Sequence, residues 1–179
     1  MKYSPKKADL KARILYASLF VISVFCIMID FPTGIKPILS SIGLISLVAS
    51  LYLFIRFEFT SYEYILIERN GTLDFYVNKI TGKRSSYVCY FPLTDACKIT
   101  SYSKEEKQEL IKQYKGVTFF KYNQNIFAGE RYVLIFNDGS KFVAIIFEPD
   151  KDFVFHVQNE ITRLKSLPAN DDEENGEST

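Results

Sequence analysis

Two charge-free apolar runs, Ile14–Ile29 and Pro37–Ile55, dominate the first third of the chain. A helix needs about 20 apolar residues to cross a bilayer core of about 30 Å. The second run supplies nineteen and the first sixteen. Ala12 and Phe31 lengthen the first run, and Arg13 and Asp30 at its ends can snorkel to headgroup level. Surface helices of soluble proteins show a polar face, and neither run has one. The basic start, Lys6, Lys7, Lys11 and Arg13, is that of a secretory signal. Yet Met28-Ile29-Asp30-Phe31-Pro32 lacks the small-x-small site that cleavage requires. The expectation is a transmembrane helical hairpin over residues 13–56, with spans at about 13–30 and 36–55.

Lysine and arginine bias in short flanks sets orientation. Lys2, Lys6, Lys7, Lys11 and Arg13 precede the first run, Lys36 alone is basic in the connection, and Arg56 follows the second run. This predicts a multi-pass protein of the cell (inner) membrane with both termini cytoplasmic, the bilayer being its first partner. Neither run contains an ionisable side chain, which argues against an ion or proton path through the hairpin alone. Gly43, Ser46 and Ser50 share one face of the second span, where small side chains let the first span approach closely. They are the expected hairpin-packing residues.

Residues 1–12 read as a basic cytoplasmic segment, residues 57–168 as one cytoplasmic domain, and residues 169–179, with five acids and no base, as a disordered acidic tail. Arg56–Pro168 carries sixteen Lys/Arg against fourteen Asp/Glu. That near-neutral balance, without a clustered basic run, argues against nucleic acid as a partner. Cys26, Cys89 and Cys97 have no motif spacing and read as free thiols. The single histidine, His156, leaves too few donors for a metal site. Asn70-Gly71-Thr72 matches a glycosylation sequon, but Asn-Gly is better explained as a turn.

The domain reads as strand after strand. Ser61–Glu68 is rich in Tyr and Ile, and Arg69-Asn70-Gly71 is a turn. Thr72–Lys79 alternates, with Leu73, Phe75 and Val77 on one face. Ser85–Phe91 and Ala96–Tyr102 follow, separated at Pro92. Ser103-x-x-Glu106 fits a capping box that opens a short charged helix over Lys104–Tyr114. Val117–Asn123, Arg131–Asn137 and Lys141–Phe147 complete seven strands, the last two joined by Asp138-Gly139 as a two-residue turn. Asp150 caps a final helix to about Leu167, whose buried stripe is Phe153, Val157, Ile161 and Leu164.

Seven strands then one amphipathic helix predict a partly open barrel plugged by that helix, giving an α+β membrane protein overall. Tyr64-x-x-x-Glu68-x-x-Gly71 enters a hairpin, Phe91-Pro92-Leu93-x-Asp95 leads into a strand, and Phe147-Glu148-Pro149 precedes the last helix. In these features and in element order, residues 12–166 resemble the bacterial pleckstrin-homology-like (PH-like) two-span membrane proteins, including the YcxB-like group. The resemblance implies a PH-like domain behind a membrane hairpin. It departs from phosphoinositide-binding members, whose basic first hairpin loop is here only Arg69-Asn70-Gly71.

No phosphate loop, zinc-protease motif or nucleophile motif occurs. His156 lies among Phe153, Phe155 and Val157 as a helix-surface residue, and Glu148, Asp150 and Asp152 fit helix capping better than metal binding. No catalytic residue, metal or other cofactor and no small-molecule substrate is therefore expected. The expected function is non-enzymatic contact with a protein, a second copy or the membrane surface, through sheet edges or the groove beside the final helix. One alternative is anionic-lipid sensing by Lys79, Lys83 and Arg84, each worth about 1 kcal/mol near a charged leaflet. The other is an accessory subunit of a transporter or envelope enzyme.

Overall fold

The computed structural model describes residues 1–5, 10–29, 32, 34–125 and 130–167. Two long apolar helices, α1 (Leu10–Met28) and α2 (Lys36–Phe54), pack side by side. The connection is short, so they run antiparallel. Pro37 sits in the first turn of α2, where its missing N–H costs nothing. Both helices are long and apolar enough to cross a membrane, and most of their surface is uncovered by the rest of the chain. The acidic tail expected over 169–179 lies outside the described residues.

One π-helical turn, Ile55–Phe59, carries α2 into the first long strand. The domain holds β2 (Thr60–Arg69), β3 (Thr72–Thr81), β4 (Arg84–Pro92), β5 (Ala96–Ser101), α3 (Lys104–Gln113), β6 (Thr118–Lys121), β7 (Tyr132–Asn137), β8 (Phe142–Phe147) and α4 (Lys151–Ser166). These match the strands and helices expected from the sequence. An eighth strand, β1 (Lys2–Tyr3), adds to the edge of β2. It falls in the stretch expected to be only a basic flank, and two residues are too few for a periodic signal.

The strands form two sheets, ordered β1-β2-β3-β4 and β5-β7-β8-β6. Among the described residues all pairings are antiparallel except β6 with β8. The β2–β3 turn uses Asn70 at φ +53° and Gly71 at φ +77°, the mirror-image turn that matches strand twist. The β7–β8 turn differs from expectation by one residue. Asp138 N–H donates to Lys141 O at 2.9 Å, so the ladder extends past Asp138 and Gly139 begins the reversal at φ +67°.

The main core lies between the sheets and α4. Tyr64, Phe75, Phe136, Phe147 and Phe153 are buried there and meet in a chain of edge and stacked ring contacts. A second cluster, Val133, Ile135, Ala144 and Ile146 with Leu110 of α3, covers the opposite face of β7 and β8. Those two strands are buried on both faces, which explains their unbroken apolar sequence. Asp150 Oδ1 accepts from Phe153 N–H at 2.8 Å and caps α4. Ser103 Oγ accepts from Glu106 N–H at 3.0 Å, but the Glu106 carboxylate pairs with Lys98 Nζ, so only half of the capping box forms.

Strand direction organises the domain. Thr60 pairs with Thr81, and Gly82 N–H donates to Phe59 O at 3.0 Å. The β3–β4 turn therefore lies at the end of α2. Arg69 pairs with Thr72 at the other end of the same ladder. Ten residues at about 3.3 Å each put that turn roughly 30 Å farther along the strands.

Candidate functional site

Three places combine exposure with built geometry: the junction between hairpin and domain, the basic turn beside it, and a groove at the far end.

At the junction, Glu58 on the π-turn pairs with Arg13 Nε at 2.8 Å and accepts from the Tyr16 hydroxyl at 2.6 Å. Gln124, 1 % exposed, donates through Nε2 to Phe57 O at 3.2 Å and Thr60 O at 2.8 Å. Arg56 lies over the Tyr62 ring at 5.1 Å and donates to Asn123 O at 3.3 Å. Asn125 N–H reaches the buried Glu148 carboxylate at 3.1 Å. Burial pushes the Glu148 carboxyl above its ordinary range, against the Asn125 bonds and the Arg131 charge. The segment after β6 thus holds the backbone that leaves α2 and is itself held by the end of β8. Sequence reasoning missed this clamp. Asn123-Gln124-Asn125 reads as an ordinary polar loop, and the carbonyls it serves lie more than sixty residues earlier.

The expected hairpin-packing residues, all on α2, face α1. Ser46 Oγ donates to Leu19 O at 3.1 Å and Ser50 Oγ to Tyr16 O at 2.8 Å. A Cβ on Gly43 would stand 2.9 Å from Ile27 Cγ1 and 3.1 Å from Ser23 O. Lys83 and Arg84 are exposed on the β3–β4 turn, at the end of α2, and Phe59 beside them is 51 % exposed. Lys79 is half-buried, two residues back along β3 from Thr81, the register partner of Arg84. Period-two alternation puts Lys79 and Arg84 on one face.

The groove, about 580 Å³, opens between α4 and the turn into β5. Leu93, Ala96, Tyr114, Phe142, Ile161 and Leu164 supply its apolar lining, and Asp95 and Lys165 its charge. Lys165 Nζ donates to Cys97 O at 2.5 Å. Pro92 pairs with Asp74 and Ala96 with Phe136, so the groove belongs to the end remote from α2. A smaller cavity of about 270 Å³ separates β4 from β6 and is lined by Cys89, Phe91, Tyr122 and Ile145. Burial pushes the Cys89 thiol up to about 11 and the Tyr122 phenol up to about 12. Cys26, Cys89 and Cys97 are free thiols.

His156 is exposed on α4 beside Phe155, with ring centroids 6.3 Å apart. Glu148 and Asp150 face different tasks, the first holding Asn125 and the second capping α4. Among the described residues no three metal-ligating side chains converge.

No curated protein and no solved structure matches the chain. The family model described as a bacterial PH-like domain (DUF6106) matches residues 2–164. That segment takes in β1, the apolar helix pair, both sheets and all but the end of α4, and the chain belongs to the bacterial PH-like domain family DUF6106.

Proposed function

We propose that the chain is a non-catalytic, membrane-anchored contact module. α1 and α2 cross the bilayer as a hairpin, the two sheets form a partly open barrel at the cytoplasmic surface, and the remote groove receives a segment of a partner protein. The observation that carries this reading is the groove's place. Its apolar lining lies at the end of the ladders away from α2, where a soluble segment can reach it and the anchoring bilayer cannot. The clamp around Phe57–Thr60 supports it, because a fixed junction keeps the groove pointing away from the membrane.

A second reading concerns the opposite end. The Gly82–Phe59 hydrogen bond brings Lys83 and Arg84 to the exit of α2. Anionic headgroups there would meet both cations, with Phe59 and Ile55 as exposed apolar neighbours. One experiment addresses both ends. A photocrosslinking side chain placed at Thr94 on the groove rim is expected to capture protein in native membranes, and one placed at Lys83 to capture lipid. Absence of a discrete protein adduct from Thr94 refutes the module reading. Absence of lipid adducts from Lys83 refutes the headgroup reading.

A further inference from the structure

The outer face of the first sheet carries an aromatic cluster that neither end of the domain uses. Tyr76 of β3 pairs directly with Tyr90 of β4, and their ring centroids are 4.9 Å apart. Tyr87, 60 % exposed, meets the same Tyr76 edge-on at 6.2 Å. Asp74 lies two residues from Tyr76 on the same face of β3. It is 3 % exposed, and its Oδ2 is buried without a hydrogen-bond partner. A buried carboxylate oxygen left open is costly, and native structures seldom keep one without a reason.

The charges around the cluster leave room for a cation. Lys2, across the sheet, is engaged with Glu63 at 2.9 Å. Arg69, at the end of β2, contributes a positive charge felt at Tyr90 and still leaves Asp74 Oδ2 open. Burial, and then the Asp74 carboxylate, raise the Tyr90 phenol above its ordinary value, while Arg69 lowers it. The three rings present electron-rich faces next to the Asp74 carboxylate. Clustered aromatic rings beside a carboxylate attract cations. A planar guanidinium can lie flat on a phenol face, which a compact ammonium does less well, while the carboxylate buried behind the rings attracts its charge.

We propose that Tyr76, Tyr87 and Tyr90, with Asp74 behind them, bind an arginine side chain of a partner protein. A lipid cation from the anchoring membrane is a poor fit. Tyr90 lies six residues along β4 from Arg84 at the hairpin end, about 20 Å by strand rise. The site is separate from the groove and from the basic turn, so it stands or falls independently of the function proposed above.

The test uses the full chain in detergent micelles and saturation-transfer NMR with three capped tripeptides. These carry arginine, the neutral isostere citrulline, or trimethyl-lysine at the centre. The arginine peptide is expected to bind at least about fivefold more tightly than the other two. Tyr87→Ala and Tyr90→Leu should each weaken it by about two- to fivefold, and Asp74→Asn should bring arginine and citrulline to equal affinity. No saturable binding of the arginine peptide overturns the site, and so does unchanged affinity in both tyrosine variants. Equal binding of citrulline removes the cation, and equal binding of trimethyl-lysine removes the arginine assignment. Thermal unfolding of each variant checks that it is folded. Tyr87→Ala alters an exposed side chain and keeps the test decisive if Asp74→Asn does not fold.

Discussion

Glu148 sits behind Asn125 with most of its surface removed from water, whereas Glu160 is gripped by Arg163 at 2.7 Å. Burial raises the first carboxyl above 4.5. The Arg163 hydrogen bond, opposed by burial, lowers the second below 4.5. In the folded state Glu148 keeps its proton at pH values where the unfolded chain has released it. Its contribution to stability is therefore full below the unfolded value and lost as pH rises through the folded one. Glu160 behaves oppositely, contributing above the unfolded value and losing that contribution as pH falls through the folded one. Chemical denaturation from acid to neutral pH should show Glu148→Gln without the falling component and Glu160→Gln without the rising one. Profiles that superimpose on the parent's would refute both assignments. Neither role was legible in the sequence. Glu148 reads with Asp150 and Asp152 as a helix-capping acid, and its partner Asn125 is 23 residues away. Asp150 was legible, because a cap is a local contact with the third residue beyond it.

Elements were readable where their signal is local and long. β3 alternates over its first half because Leu73, Phe75 and Val77 meet the core there. The runs of β7 and β8 are continuous because α3 covers what α4 leaves open. β1 was not readable, since its two residues become a strand only by adding to β2. The packing of α1 on α2 falls between these cases. Small residues mark a face, but only the structure names what that face meets. At Gly43 the nearest neighbours of an added methyl include Cys26 Cβ at 3.0 Å and the Ser23 backbone oxygen at 3.1 Å. Side chains can rotate away, but a helix backbone cannot yield without moving the whole helix. Gly43→Ala should therefore force α1 and α2 apart at a cost of about 1–3 kcal/mol. It should also lengthen the Ser46–Leu19 hydrogen bond nearby. Thermal unfolding in detergent measures the loss, and a variant as stable as the parent would contradict the close approach. Ser46→Ala, which removes one hydroxyl and adds no bulk, should cost less.

At the scale of the whole molecule, the two ends of the helix pair are not independent. β1 precedes α1, β2 follows α2, and the two strands pair through Lys2–Ile65 and Tyr3–Tyr64. The Arg13–Glu58 ion pair ties the start of α1 to the turn after α2. A chain that crossed the bilayer once, or three times, would put these partners on opposite sides and break every one of these contacts. The fold thus requires an even number of crossings between residues 3 and 60. Lysine and arginine bias is then expected to select the side, because the flank before α1 is basic and the connection carries Lys36 alone. These are separate arguments, and one measurement separates them. A reporter fused after Thr179 should read cytoplasmic, a tag before Met1 should be protected in intact cells, and a tag at Thr33 should be accessible from outside. Inverting all three signals would keep the paired ends and reject the charge argument. Signals that differ between the two termini would reject the paired ends themselves, and with them the junction built on Glu58 and Gln124. Replacing Lys2, Lys6, Lys7 and Lys11 with glutamine is expected to raise the inverted fraction while leaving the termini in agreement, since strand pairing does not depend on which side of the membrane it forms.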